Sequence, residues 1–187
     1  MADLSDLENR IRFFGIDEPT RRVVREVRPY VLAYIETIVD KFYDYARAFP
    51  DADSILEPYY QSGALRQKQV RHWEKLFSCD FDEEFLEYGR RIGRAHFDKR
   101  VYPYLYIGGY NYVQCALLEV VERNFTDQKT RTAVLTAINR LIAFDIDLAL
   151  SAYTREYWLR KSDAGLRAPE MTANPSEDVA GNIEFVC

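Results

Sequence analysis

Histidine is scarce in this chain, and His96 occupies a position from which an imidazole could do chemistry. The 187 residues include only two histidines, His72 and His96. Phe85, Gly89 and Ile92 precede His96 at steps that place all four residues on one face of a helix. An imidazole on an apolar helical face is usually a structural core residue, but it can also serve as a metal ligand or an acid–base group.

Two glycines beside this histidine favour the functional interpretation. Gly89 and Gly93 lie within the predicted helix, and a glycine costs a helix roughly 1 kcal/mol relative to alanine. Such a cost needs a reason, and a flat, bulky group that must come close to the backbone would supply one. A haem is such a group. The glycines therefore favour a haem beside His96 over a plain core histidine.

Four stretches of the sequence, in a fixed order, carry a family resemblance. The first stretch is Ile38-Val39-Asp40-Lys41-Phe42-Tyr43, and the second is Leu65-Arg66-Gln67-x-x-x-Arg71-His72-x-x-x-Leu76-Phe77. The third is Arg91-Ile92-Gly93-x-x-His96, followed by Pro103, Tyr106, Gly109 and Tyr110. The fourth is Ile138-Asn139-Arg140-Leu141-Ile142-Ala143-Phe144-Asp145, which runs on to Tyr153. Together they resemble the sensor globins, the family of globin-coupled sensors and protoglobins, over roughly residues 10–160.

The resemblance implies an all-α globin fold of the sensor type, with an extra short N-terminal helix and long G and H helices, over residues 1–161. It implies a b-type haem with His96 as the proximal iron ligand and Tyr43 as the distal residue that faces bound gas. Leu65 would be an apolar residue in the roof of the gas site. A phenol at Tyr43 would suit bound dioxygen, which takes negative charge from iron; the alternative for Tyr43 is aromatic packing.

Other candidates near the haem are less distinctive. Ile92 shares the face of His96, and Tyr106 is either a pocket neighbour or plain core. Lys68 departs from the family pattern: it either extends to solvent along its aliphatic stem or lies near the iron or a propionate. His72 falls one turn beyond Lys68, where a structural role is expected and a role as sixth iron ligand is the alternative.

Composition excludes several other classes of protein. The net charge of −5 argues against nucleic acid as the main partner. No apolar run approaches the roughly 18 residues of a membrane span, and the acidic N-terminus lacks the order of a signal peptide. Three separated cysteines form no C-x-x-C or C-x-x-C-H motif, so we expect a cytoplasmic protein without disulfides or structural zinc, and a non-covalent haem.

Helical periodicity dominates the chain, with no convincing alternation of the kind that strands show. Gly108-Gly109, inside a predicted helix, suggests a close backbone approach to another element. Residues 50–58 read as a break with at most a short turn. We expect seven helices: residues 4–13, about 17 through 27, Pro29 to about 49, about 60 to 78, about 80 through His96, Pro103 through Val121, and about 128 to 160. A capping box at Asp80 and Glu83 would begin the fifth helix, and Thr126 or Asp127 would cap the seventh.

The last helix predicts an assembly. It carries more apolar surface than one small core requires, which indicates a partner, and in sensor globins the last two helices form a dimer interface. We therefore expect a homodimer through these two helices. Residues 162–187 change composition and read as a flexible tail. The family's output modules, which carry any catalytic activity, do not fit in that length, so we expect no enzyme activity from an output domain in this chain.

Three functions remain open at this point. The leading one is a haem protein that senses dioxygen, or CO or NO, and relays ligation to an output domain or a separate partner. The second is a globin used as a peroxidase, dioxygenase or carbene-transfer catalyst; a peroxidase would need a distal acid–base group, for which His72 and Lys68 are the basic candidates. The third is a helical interaction module without a cofactor, in which His96 is merely core.

Overall fold

The computed structural model describes residues 4–60 and 63–163, and this part of the chain is helical without strands, which confirms the all-α class. Within these ranges it contains seven helices in chain order: α1 (Leu4–Phe13), α2 (Glu18–Arg47), α3 (Pro50–Tyr60), α4 (Ala64–Leu76), α5 (Glu83–Asp98), α6 (Pro103–Asn124) and α7 (Gln128–Asp163).

The predicted break at Pro29 is wrong, because α2 runs through it. The helix covers 30 residues with Pro29 in its interior, although an internal proline removes one backbone hydrogen bond and costs about 3 kcal/mol. The ring of Pro29 lies on the exposed side of the helix, while Val27 and Val31 on either side of it are fully buried. Burial of the apolar face therefore outweighs the local cost of the proline.

Two further boundaries differ from those expected. Residues 50–60 form a helix of 11 residues instead of a break, since Pro50 suits the first turn of a helix and Asp51 and Asp53 lie there with favourable charge. Helix α5 is capped by Asp82, whose carboxylate accepts a hydrogen bond from the Phe85 amide at 2.7 Å. The capping box expected two residues earlier, at Asp80, is not formed.

The glycines of α5 pack against α7, which corrects their expected role. A Cβ added at Gly93 would lie 2.4 Å from the carbonyl oxygen of Ala149 and 2.6 Å from Cβ of Ala152. A Cβ at Gly89 would lie 3.4 Å from Cβ of Leu148. These glycines therefore allow a close contact between two helices. By contrast, the predicted close approach at Gly109 is confirmed, since a Cβ there would lie 3.2 Å from the ring of Phe42 on α2.

The described residues up to position 156 form one compact unit, and a second unit begins at residue 157. Of the second unit, the structure describes only the helical backbone to Asp163, so the predicted tail over 162–187 lies almost entirely outside the described residues. In the described part of the chain, no helix is long and apolar enough to cross a membrane.

Candidate cofactor site

A cavity of about 260 Å³ lies among helices α2 to α6. Helix α2 lines it with Val39, Tyr43 and Ala46, α4 lines it with Leu65, Gln69 and Trp73, and α5 contributes His96. Apolar and aromatic side chains form most of the wall, as in sites that take up a large organic ligand. The remaining lining residues that the argument uses lie on α3 and α6: Ile55, Leu56, Tyr106, Gly108, Gly109, Tyr110 and Val113.

His96 enters this cavity as a neutral imidazole with one fixed tautomer. Its Nδ1–H donates to the carbonyl oxygen of Ile92 at 2.8 Å, and because a carbonyl only accepts, the lone pair of the ring must be on Nε2. Burial is the main cause that lowers the pKa of His96, which favours the neutral form. Nε2 makes no hydrogen bond to the described residues. This is the state that an imidazole needs to bind a metal, with its second nitrogen held by an acceptor.

Tyr43 brings a free hydroxyl to the same cavity. Its side chain is 6% exposed, and its hydroxyl has no hydrogen bond to any described residue. Burial raises the pKa of the phenol, so the group remains a protonated donor at neutral pH. The side chain is therefore suited to a bound ligand with a partial negative charge.

The other predicted contacts divide into two groups. Leu65 and Tyr106 line the cavity, and the Tyr106 ring meets the His96 ring edge-on at 5.0 Å between centroids. Ile92 does not line it and contributes its carbonyl oxygen to His96 instead. Lys68 is exposed and also lies outside the lining. Of its two interpretations, this position agrees with a side chain that extends to solvent. Gln69, the next residue on α4, lines the cavity in its place.

His72 is held away from the cavity by a buried carboxylate. Its Nε2–H donates to Oδ2 of Asp145 at 2.7 Å, and both side chains are buried. Neither His72 nor Lys68 is part of the lining, so the two basic residues considered for a distal acid–base role do not reach this site. The structural role expected for His72 is the one its contacts support.

Sequence reasoning missed two features of the site. Trp73 lines the cavity, and its Nε1–H is buried with no hydrogen-bond partner among the described residues. Asp145 stands among the apolar core residues Leu141, Ile142 and Leu148 of α7. A carboxylate at a core position requires a partner, and this was the feature that could have predicted the contact with His72.

The family model described as protoglobin matches residues 3–158. The chain belongs to the protoglobin family.

Relatives and solved structures agree with this membership. A heme-based aerotactic transducer, HemAT, from Halobacterium salinarum is 23% identical over 172 residues, covering 86% of this chain and 35% of the relative. This protoglobin chain thus spans about a third of the length of that relative.

Among solved structures, the globin domain of a Geobacter sulfurreducens globin-coupled sensor matches with a TM-score of 0.74 at 19% identity, covering 78% of this chain and 96% of the other. The globin domain of Escherichia coli DosC in its ferric form matches with a TM-score of 0.61 at 19% identity, covering 78% of this chain and 97% of the other. These similarities confirm the globin fold.

Proposed function

We propose that this protoglobin chain binds a b-type haem non-covalently through His96 and senses a diatomic gas, with dioxygen as the preferred ligand. The observation that carries the proposal is the state of His96: a neutral ring, with Nδ1 held by Ile92, Nε2 without a hydrogen bond to any described residue, and an apolar cavity beside it. The HemAT relative is described as heme-based and aerotactic, which supports the same function here.

The residues of the cavity fit a haem. His96 would hold the iron through Nε2, and the apolar wall would exclude water from the group. Gly108 and Gly109 of α6 carry no side chain at the cavity wall. When bound, the haem would supply an iron centre that binds dioxygen reversibly. Tyr43 would donate its hydroxyl proton to that ligand.

Replacement of His96 tests the cofactor. We expect His96→Gly to lose haem, because the tether to iron is gone, and added imidazole to restore the Soret band by occupying the vacated position. His72→Gln is the matched control: it changes the other histidine, which lies outside the cavity lining, and should keep the haem and its spectrum. A His96→Gly protein with unchanged haem content would refute the ligand, and a colourless wild-type protein would refute the function.

Replacement of Tyr43 tests the gas ligand. A hydrogen bond to a charged acceptor contributes about 1.5–3 kcal/mol, so Tyr43→Phe should release dioxygen roughly 10- to 150-fold faster. Carbon monoxide carries less negative charge when bound, and its release should change little. Tyr34→Phe, an exposed tyrosine on the same helix, is the control for flash-photolysis and stopped-flow measurements. An unchanged dioxygen release rate would remove Tyr43 from this role.

The route from gas binding to a response is also part of the proposal. Helices α6 and α7 would pair with their copies in a homodimer, and ligation at His96 would change how these helices pack. Ile107 and Leu118 of α6 are exposed apolar side chains, as an interface would require. The output would come from a further domain or from a separate signalling partner.

A further inference from the structure

A chain of buried polar side chains begins at the cavity and ends in the core. The hydroxyl of Tyr106 donates to that of Tyr110 at 3.2 Å, and Tyr110 donates to Oδ2 of Asp145 at 2.5 Å. The same oxygen accepts from His72, whose Nε2 also lies 3.1 Å from the Tyr110 hydroxyl. All four side chains are buried. We call these residues, Tyr106, Tyr110, Asp145 and His72, the carboxylate network.

The network touches the cofactor site directly. Tyr106 and Tyr110 both line the cavity, and their ring centroids are 5.0 Å apart. The Tyr106 ring meets the His96 ring at the same centroid distance, 5.0 Å. On its other side Tyr110 packs against Trp73, with centroids 5.6 Å apart. An electron could therefore pass from the interior of the network to a group bound at His96 through rings in contact.

Tyr110 is also placed to lose a proton together with that electron. A phenol that loses an electron becomes strongly acidic, so its oxidation is easy only where a base already holds the hydroxyl proton. Burial, followed by the negative charge of Asp145, raises the pKa of Tyr110 well above its ordinary value, so a phenolate is not available beforehand. The carboxylate of Asp145 is the acceptor at hydrogen-bond distance, and His72 shares the same oxygen.

We propose that Tyr110 is a redox-active tyrosine, oxidised to a neutral tyrosyl radical when a hydroperoxide reacts with the haem-loaded protein. The inference rests on the haem binding proposed above. Reduction of hydrogen peroxide would break its O–O bond and bring both oxygen atoms to the oxidation level of water, which takes two electrons from the haem-loaded protein. The bound haem would supply one of these electrons and Tyr110 the other. The O–H bond of Tyr110 breaks, its electron goes to the haem, and its proton goes to Asp145.

The carboxylate network would thus restrict the radical to one tyrosine, Tyr110. Tyr106 lies nearer to His96, but among the described residues its hydroxyl bonds only to another phenol, which is a poor base. Tyr153 is also near Tyr106, with ring centroids 6.0 Å apart, and its buried hydroxyl has no acceptor among the described residues. Tyr110 is distinguished from both by its direct bond to a carboxylate.

Electron paramagnetic resonance on haem-loaded protein, frozen shortly after one equivalent of hydrogen peroxide is added, tests the proposal. We expect a tyrosyl-radical signal in the wild-type protein and loss of that signal in Tyr110→Phe. Asp145→Asn keeps the shape of the side chain but removes the base, and should lower the radical yield. Tyr30→Phe, an exposed tyrosine outside the cavity lining, should leave the signal unchanged. Uniform labelling with fluorotyrosine should alter its hyperfine pattern.

Each outcome separates the two proposals. A protein that takes up haem but gives no tyrosyl signal overturns the redox role of Tyr110 alone, as does an identical signal in wild-type and Tyr110→Phe proteins. A protein that takes up no haem overturns the proposed function, and this inference with it. If Tyr110→Phe fails to fold, the yield in Asp145→Asn decides: a yield equal to that of wild type overturns the proposal.

Discussion

Substitution of Gly93 tests how closely α5, the helix that carries His96, packs against α7. An alanine Cβ at this position would lie 2.4 Å from the carbonyl oxygen of Ala149 and 2.6 Å from Cβ of Ala152. Backbone atoms cannot rotate away, so α5 and α7 must separate. Gly89, one turn earlier on α5, is also buried, but a Cβ there would find its nearest neighbour at 3.4 Å, in ordinary contact. Gly89→Ala is therefore a matched control for Gly93→Ala.

The expected difference in stability between the two variants follows from two opposing effects. Each alanine gains about 1 kcal/mol of helix propensity over glycine, and this gain is common to both variants. Overpacking at Gly93 costs about 1–3 kcal/mol and has no counterpart at Gly89. We therefore expect Gly93→Ala to be less stable than Gly89→Ala by about 1–3 kcal/mol. In a domain of this size that difference lowers the melting temperature by about 2–12 °C.

Urea and thermal unfolding followed by circular dichroism would measure the difference in free energy of unfolding. Because Gly93 lies less than one turn before His96, Gly93→Ala should also release haem faster than Gly89→Ala does. Equal stability of the two variants would refute the reasoning, since it would mean that α7 does not contact α5 at Gly93.

Two further predictions concern a buried thiol and the assembly. Burial raises the pKa of the Cys79 thiol to about 11, so at pH 8 only about one Cys79 thiol in a thousand is a thiolate. In a Cys115→Ser/Cys187→Ser protein, iodoacetamide should therefore label Cys79 slowly, with a rate that rises about tenfold per pH unit. Labelling as fast as that of exposed Cys115 in a Cys79→Ser/Cys187→Ser protein would contradict the burial. If α6 forms the dimer interface, Leu118→Glu should halve the mass measured by light scattering, whereas Lys41→Glu on α2 should not, and an unchanged Leu118→Glu dimer would exclude this face.

Much of the fold could be predicted because the periodicity of apolar residues is local information. The limits of α1 and the start of α6 at Pro103 follow from spacing and capping rules. The prediction failed at Pro29 because the decisive contribution is tertiary: buried Val27 and Val31 keep the helix continuous. It failed again at Pro50, where the same residue type that ends one helix also begins the next.

The candidate site, like the fold, could be predicted from the sequence only in part. His96 and Tyr43 are far apart in sequence but line one cavity. Their proposed roles as iron ligand and phenol donor came from the family resemblance, because residue type alone left a core histidine and an aromatic packing residue open. The neighbours of the glycines could not be inferred from α5 alone, because whether a missing Cβ admits a cofactor or another helix depends on what packs there. The carboxylate network was hidden in part: Tyr106 and Tyr110 fit an apolar helical stripe, whereas Asp145 on the stripe of α7 indicates that it needs a partner but not which one.

Helix α6 contacts both Phe42, the neighbour of Tyr43, and His96. Gly109 lies against the ring of Phe42, which packs against the ring of Tyr43, and Tyr106 lies against the ring of His96. Within the same two turns, Tyr110 bonds to Asp145 of α7. A small movement of His96 would therefore act on α6 directly, one of Tyr43 would act on it through Phe42, and both would reach α7 through one buried hydrogen bond. Because interiors are close-packed, such contacts transmit displacement, and the two helices that receive it are those proposed to form the dimer.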